Sequence, residues 1–268
     1  MIMAATVGKA GGRIIRSAQQ FRKLYPYLEA EDLVLGSLPL KAGEDYKLLD
    51  LVERGVTLFP AALAQILSRS KVAQAEVLGG FMLPQTFVAY NRADLLAQLN
   101  AYQASGVSRI VTRLDRGNCG QGVNLWSSLE DLVSLASLST IPYPLVVQPW
   151  VSDYRDLRVV MVGDYSEAYE RYNAYNFRNN LVLGGQSRPV ELSSVQLSWC
   201  QEVMRRGKFP YGVIDFLQLP DGRGYLAEVN LRAGLRASRI TQAGFRQQVA
   251  RLEEDFLQHW LAARESNG

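Results

Sequence analysis

This sequence predicts an α/β chain, on three observations. Between residues 33 and 114, short β-rich runs alternate with helix-like stretches. Two hairpins follow, centred on Gly163-Asp164 and Asp221-Gly222. The closing stretch QAGFRQQVARLEEDFLQHWLAAR (242–264) places apolar residues three and four apart, the spacing of an amphipathic helix.

Taken in order, residues 1 to about 30 are basic and helix-like. DLVLGS and GVTLFP read as strands flanking the helical KAGEDYKLLDLVERG. AALAQILSRSKVAQAEVLGG (61–80) reads as a helix ending in a Gly pair. TFVAY is a strand, ADLLAQLNAYQASG a helix and SRIVTRL a strand; a Gly-rich loop and a second strand follow. After Pro142 come LVVQPWV, paired strands, a helix near 193–207 and the second hairpin. Strands and helices in alternation imply layered packing of helices on sheets.

The bulk numbers exclude several classes. With 268 residues, 48% hydrophobic and 21% charged, the chain can bury a substantial core. A net charge of +3 gives no argument for nucleic acid. No apolar run approaches the roughly 20 residues that span a bilayer, and the amino terminus lacks a signal-peptide pattern, so a cytoplasmic protein is expected. Cys119 and Cys200 make no disulfide framework. One histidine, His259, cannot supply a zinc site or a His-based triad.

The hairpin YGVIDFLQLPDGRGYLAEVNLR (211–232) carries the chemistry. If Asp221-Gly222 is a two-residue turn, Asp215 lies opposite Glu228 and Val213 opposite Asn230. Glu228 and Asn230 then share a face. Opposed carboxylates about 5 Å apart repel, and the hairpin itself contains no basic partner for them. A cation between the three oxygen-bearing groups resolves this, and Mg²⁺ takes hard oxygen ligands together with substrate phosphates. A solvated sheet edge is the competing reading. In IVTRLDRGNCGQGVNLW, Gly117, Gly120 and Gly122 suit close backbone approach to phosphate, or a plain tight turn. The loop lacks the Walker spacing. Around Gly163-Asp164, pairing sets Asp156 opposite Arg171 and Arg158 opposite Tyr169, which a structural salt bridge also explains. NFRNNLVLGG adds Arg178, Asn179 and Asn180, and arginine's fork suits phosphate or carboxylate.

SRSK, VTRLDRGNCGQGV, LVVQPWV, DLRVVMVGD, FRNNLVLGG, GVIDF and YLAEVNLRAG occur in an order that resembles the ATP-grasp superfamily, closest to its RimK-like and glutathione-synthetase-like branch. The likeness covers roughly residues 65 to 260. It implies an ATP-grasp fold: a shortened amino-terminal α/β region (1–66), a small lobe with the Gly-rich loop (67–145) and a large lobe with the Mg-binding hairpin (146–268). It implies that Asp215, Glu228 and Asn230 hold Mg²⁺ (or Mn²⁺). Lys71, Arg113, Gly120, Asp156, Arg178 and Asn180 would contact ATP, and the segment Gln148, Pro149, Trp150, Val151 would hold adenine. Arg113, Arg178 and Arg232 would act on the reacting groups, with Arg158 a further candidate for phosphate or carboxylate.

The implied activity is ATP-dependent carboxylate–amine ligation through an acyl phosphate, releasing ADP. Its partners would be small-molecule carboxylates and amines or a peptide or protein acceptor, with no nucleic acid or membrane. A homo-oligomer is compatible with it. The chain departs from the family in having Arg113 where lysine is usual, in its short amino-terminal region, and in Cys119. A nucleotide-binding protein that has lost ligation, acting as a sensor or subunit, is the alternative.

Overall fold

The structure is a computed structural model that describes residues 6–7, 12–117, 122–177, 179, 181, 184–232 and 234–266. The amino-terminal region contains β1 (Thr6–Val7), β2 (Arg13–Ile15), α1 (Ala18–Leu24), β3 (Leu33–Leu35), α2 (Tyr46–Glu53) and β4 (Thr57–Phe59). Strands β2, β3 and β4 run parallel, with β1 antiparallel at the edge. Among the described residues of 1–30, the expected helix is confined to α1 and a 3-10 turn at Tyr25–Tyr27. Ile14 and Ile15 are β-branched and buried, and they join the sheet instead.

Next come α3 (Ala62–Leu67) and α4 (Lys71–Leu78). The single helix expected over 61–80 is broken at Ser70. Its backbone is extended there, and its hydroxyl accepts from Ala73 N, capping a new helix. Lys71 thereby becomes the first residue of α4.

The second sheet is antiparallel in the order β5-β8-β6-β7. It is built from β5 (Phe87–Ala89), α5 (Arg92–Ala104), β6 (Ile110–Leu114), β7 (Val123–Trp126), α6 (Leu129–Leu138) and β8 (Leu145–Pro149), and extends to Pro149. Helix α6 was not anticipated from the sequence, although Ser128 caps it and Glu130 and Asp131 sit in its first turn. Leu95 and Tyr102 of α5 and Leu129, Leu132 and Val133 of α6 pack on this sheet.

The third sheet is antiparallel and ordered β11-β10-β9-β12-β13. Its elements are β9 (Arg155–Val162), β10 (Tyr165–Tyr172), β11 (Gln186–Val190), α7 (Ser194–Arg206), β12 (Tyr211–Gln218) and β13 (Gly224–Asn230). The largest core gathers α3, α4, α7 and this sheet, with Val203, Ile214 and Val229 fully buried. The closing helix α8 (Gln242–Glu265) lies against the first sheet through Leu257 and a 4.5 Å stack of Phe256 on Phe59. Among the described residues no helix is long and apolar enough to cross a membrane.

Candidate active site

The β9–β10 turn is the expected two-residue one, with Asp156 opposite Arg171 and Arg158 opposite Tyr169. The β12–β13 turn differs. Leu219 and Arg223 pair across a three-residue loop, with Gly222 at φ +86. The register nevertheless places Asp215 opposite Glu228 and Val213 opposite Asn230, because it shifts by one residue just beyond Asp215. Ala227 takes up the shift, and its carbonyl accepts from Arg113 Nη1 at 2.9 Å.

A cleft of ≈ 1060 Å³ opens between the sheets. Lys71, Arg113, Gln148, Pro149, Trp150, Val151, Asp156, Arg158, Asp215, Glu228, Asn230 and Arg232 all line it. Arg178, Asn180, Cys119 and Gly120 lie outside the described residues. The cleft also takes in residues the sequence reading did not assign to a site: Arg69, Arg116, Arg171, Tyr154, and Ser37 to Leu40 from the loop after β3. Arg171 was legible as the partner of Asp156 across the hairpin. The Ser37–Leu40 loop had no local signal, since it reaches the cleft from a separate sheet.

The acids of the hairpin have basic partners from other elements. Arg158 grips Asp215 with two bonds, Nε to Oδ1 at 2.6 Å and Nη2 to Oδ2 at 2.7 Å. Arg171 adds a 3.1 Å contact to Asp215 and bonds Asp156 at 2.6 Å. Lys71 Nζ lies 3.3 Å from Glu228 Oε1, which also accepts from Asn230 Nδ2 at 2.9 Å. Opposed carboxylates are therefore not by themselves a sign of metal here. The compensating charges come from α4, β9 and β10, which no reading of the hairpin alone could include.

The two buried aspartates titrate in opposite directions. Burial works to raise Asp215, but the Arg158 and Arg171 guanidiniums outweigh it and hold the carboxyl well below its usual range. Burial also raises Asp156, and there it prevails over Arg171, with the Asp215 charge adding to it. The difference follows from Arg158, whose two bonds go to Asp215. Burial pushes the Cys200 thiol up to about 12, which leaves it inert.

The donors present fit a metal–triphosphate ligand. Arg113 Nε and Arg171 Nε are buried without a partner among the described residues, and phosphate oxygens would satisfy both. Glu228 and Asn230 retain Oε2 and Oδ1 as hard oxygen donors beside Asp215. Among the described residues no three His, Cys, Asp or Glu side chains cluster closely enough to hold an ion; the set here is two carboxylates and an amide. At the other end, Trp150 meets Tyr154 and Phe177 edge-on at 6.1 and 5.6 Å, framing a slot that suits a flat ring. The Trp150 backbone N–H is spent on Arg109 O at 2.8 Å, which removes it from the donors open to a ligand.

Comparison with known proteins bears on the family and the fold. A family model described as "RimK-like ATP-grasp domain" matches residues 63–251. No curated protein matches the sequence significantly. Among solved structures, D-alanine–D-alanine ligase from Bacillus anthracis, complexed with ATP, superposes with a TM-score of 0.56 at 15% identity, covering 94% of this chain and 86% of that one. D-cycloserine synthetase gives 0.59 at 13%, covering 86% and 85%. A RiPP-associated ATP-grasp ligase from Chryseobacterium gregarium, in complex with ADP and a leader and core peptide, gives 0.55 at 17%, covering 82% and 75%. At such identities the likeness establishes the fold.

Proposed function

The chain belongs to the RimK-like ATP-grasp family, and from that premise we propose that it is an ATP-dependent, Mg²⁺-requiring carboxylate–amine ligase that forms an amide through an acyl phosphate and releases ADP. The observation that carries the reading is the convergence in one cleft of Lys71, two buried guanidinium nitrogens on Arg113 and Arg171 that have no partner among the described residues, and the oxygen donors Asp215, Glu228 and Asn230.

In this reading Glu228 and Asn230, with Asp215 behind them, hold the metal. Lys71 and Arg113 face the phosphates from α4 and β6. Mg-ATP would supply the phosphoryl group that activates the carboxylate, its metal neutralising charge as that group moves. Preorganised cations stabilise such charge without reorganising. Arg113 and Arg171 meet that condition, because each is anchored by an acceptor, Ala227 O and Asp156 respectively. Gln148, Pro149, Trp150 and Val151 would receive the adenine, and no side chain need act as a covalent nucleophile. Small-molecule or peptide acids and amines would both suit the cleft. By their descriptions, one solved structure of this fold is a D-cycloserine synthetase and another holds ADP with a leader and core peptide.

Thermal stability with and without Mg²⁺ plus ATP, on the parent and on Glu228→Gln, tests the reading. A ligand bound by the folded state raises apparent stability, by about 2.7 kcal/mol at a hundred times Kd. The expected result is a Mg²⁺-dependent upward shift in the parent that shrinks in the variant, followed by ADP release with an acid and an amine. No shift at saturating nucleotide overturns it. A shift with no ADP release across acids and amines favours the second reading, a nucleotide-binding protein without ligase activity. That reading draws on Arg113, which stands where the family usually has lysine and which spends one N–H on a backbone carbonyl.

A further inference from the structure

We propose that Lys71 is an exchangeable internal counter-ion to Glu228, which makes metal and nucleotide enter the cleft together. The ammonium holds the carboxylate until a phosphate draws it away and a metal ion takes its place. The proposal rests on the nucleotide reading above, which gives Lys71 to the phosphates and Glu228 to the metal. Lys71 Nζ lies 3.3 Å from Glu228 Oε1 and donates to Gly117 O. The two side chains are 10% and 23% exposed, so solvent and salt screen this pair far less than an ion pair on the surface. One ammonium thus has two anions within its reach, one from the protein and one from the nucleotide.

The contact is built into the fold. Asp115 Oδ1 accepts from Ser70 Oγ at 2.8 Å and from Val72 N at 3.2 Å, the residues on either side of Lys71. The start of α4 is thereby fixed to the residue just past β6, where the Gly-rich loop begins. Gln74, on the same face of α4 as Lys71, bonds Val229 N and O at 2.9 Å each, next to Glu228. Both backbones are therefore set. The flexible four-carbon stem of Lys71 is the part left to move. Asn230 Nδ2 donates to the same Glu228 oxygen at 2.9 Å and orients the carboxylate.

Charge balance then couples the two ligands. Glu228 with Lys71 on it is a neutral pair. A divalent ion arriving alone meets the ammonium at close range, and like charges in a shielded site repel strongly. Asp215 does not offset this, because Arg158 and Arg171 already neutralise it. A phosphate arriving alone must draw Lys71 from Glu228 and leave that carboxylate unpaired, which is unfavourable in the same setting. When both arrive, the phosphate keeps the ammonium and the metal keeps the carboxylate, so no charge loses its partner. Arg113 does not take this part, since its Nη1 is held by the neutral Ala227 carbonyl.

Calorimetry on the full chain tests this with three probes: Mn²⁺ alone, ADP in chelator, and Mg-ADP. Lys71→Met should tighten Mn²⁺ binding about tenfold, the worth of one charge-assisted contact, and weaken Mg-ADP binding. Loss of a merely structural residue would weaken both. Arg69→Gln is the control for charge at a distance. It removes a cleft cation that bonds Gln65 O and Leu38 O, and it should tighten Mn²⁺ binding far less. Glu228→Gln reads the exchange from the other side. ADP in chelator should bind more tightly than to the parent, although Mg-ADP binds more weakly, and adding Lys71→Met should remove that gain. If Lys71→Met does not fold, the Glu228→Gln arm decides by itself. No tightening of Mn²⁺ in Lys71→Met, equal tightening in Arg69→Gln, or no gain for ADP in Glu228→Gln overturns the proposal and leaves the nucleotide reading intact. A parent that fails to bind Mg-ADP overturns both.

Discussion

Arg171 carries two carboxylates at once, Asp156 at 2.6 Å and Asp215 at 3.1 Å, and this sharing decides how the site responds to mutation. Asp215 also takes both bonds from Arg158, so Asp215→Asn strands the buried Arg158 guanidinium and leaves Arg171 with Asp156 alone. It should cost roughly 3–5 kcal/mol, read as a drop in the urea midpoint. Asp156→Asn should cost less than half as much. Burial already disfavours the charged form of Asp156, and Arg171 would keep Asp215 as a partner. The same pair sets a pH dependence. Asp215 is held below its ordinary value, so the stability it adds is complete above about pH 4 and is lost as pH falls from 3.8 toward about 2. Asp156 is raised and works in the opposite sense. Urea midpoints between pH 2 and 6 should therefore fall steeply on the acid side in the parent and less steeply in Asp215→Asn. The oxygen-bearing trio was legible in the sequence because two-strand register is local. Its guanidinium partners were legible only where they lay across a hairpin.

At the scale of elements, one side chain ties α4 to the hairpin strand β13. Gln74, 1% exposed, accepts from Val229 N at 2.9 Å and donates to Val229 O and Leu67 O at 2.9 and 2.7 Å. Gln74→Leu would leave the buried Val229 N–H and C=O of β13 without this partner and remove the bond to Leu67 O of α3. It should destabilise by about 3 kcal/mol in urea unfolding and weaken Mg-ATP binding, because Lys71 sits on the same helix as Gln74 and Glu228 next to Val229. Gly212 is a second constraint on β13. A Cβ there would lie 2.8 Å from Asn230 O, so Gly212→Ala should displace the strand end that carries Asn230. Its expected signature is a Mg-ATP thermal shift smaller than the parent's. The sequence reading found most of these elements, since period and turn residues are local signals. It joined α3 and α4 because both are apolar and helix-prone. The break depends on the Ser70 hydroxyl, which caps α4 and donates to Asp115 at 2.8 Å, 45 residues away.

For the whole molecule, α8 holds the first sheet against the rest. Phe256 stacks on Phe59, Trp260 Nε1 donates to Thr57 Oγ1 at 3.1 Å, and Arg16 pairs with Glu254 at 3.0 Å. The exposed ion pair adds little, so the apolar contact dominates. Phe256→Ala should cost roughly 3 kcal/mol. It should also loosen the loop at Ser37–Leu40, because that loop follows β3 of the same sheet. Faster hydrogen exchange at residues 33–40, with β9–β12 unchanged, would confirm the coupling. The amino-terminal region looked trimmed in the sequence. In the fold it contributes a wall of the cleft, through a loop pinned by Gln65 and touched by Arg69 and Arg232.

The sequence by itself determined the layered α/β class, the pairing of Asp215 with Glu228, and the ordered segments that mark the family. Each depends on residue spacing within one or two neighbouring elements. Tertiary structure decided what surrounds those acids. Arg158, Arg171 and Lys71 reach them from β9, β10 and α4, across separations of 57, 44 and 157 residues. It also decided that the Ser37–Leu40 loop closes over Arg69 and Arg232. The net charge of a buried site is a sum over everything folded around it, and local spacing supplies only some of the terms.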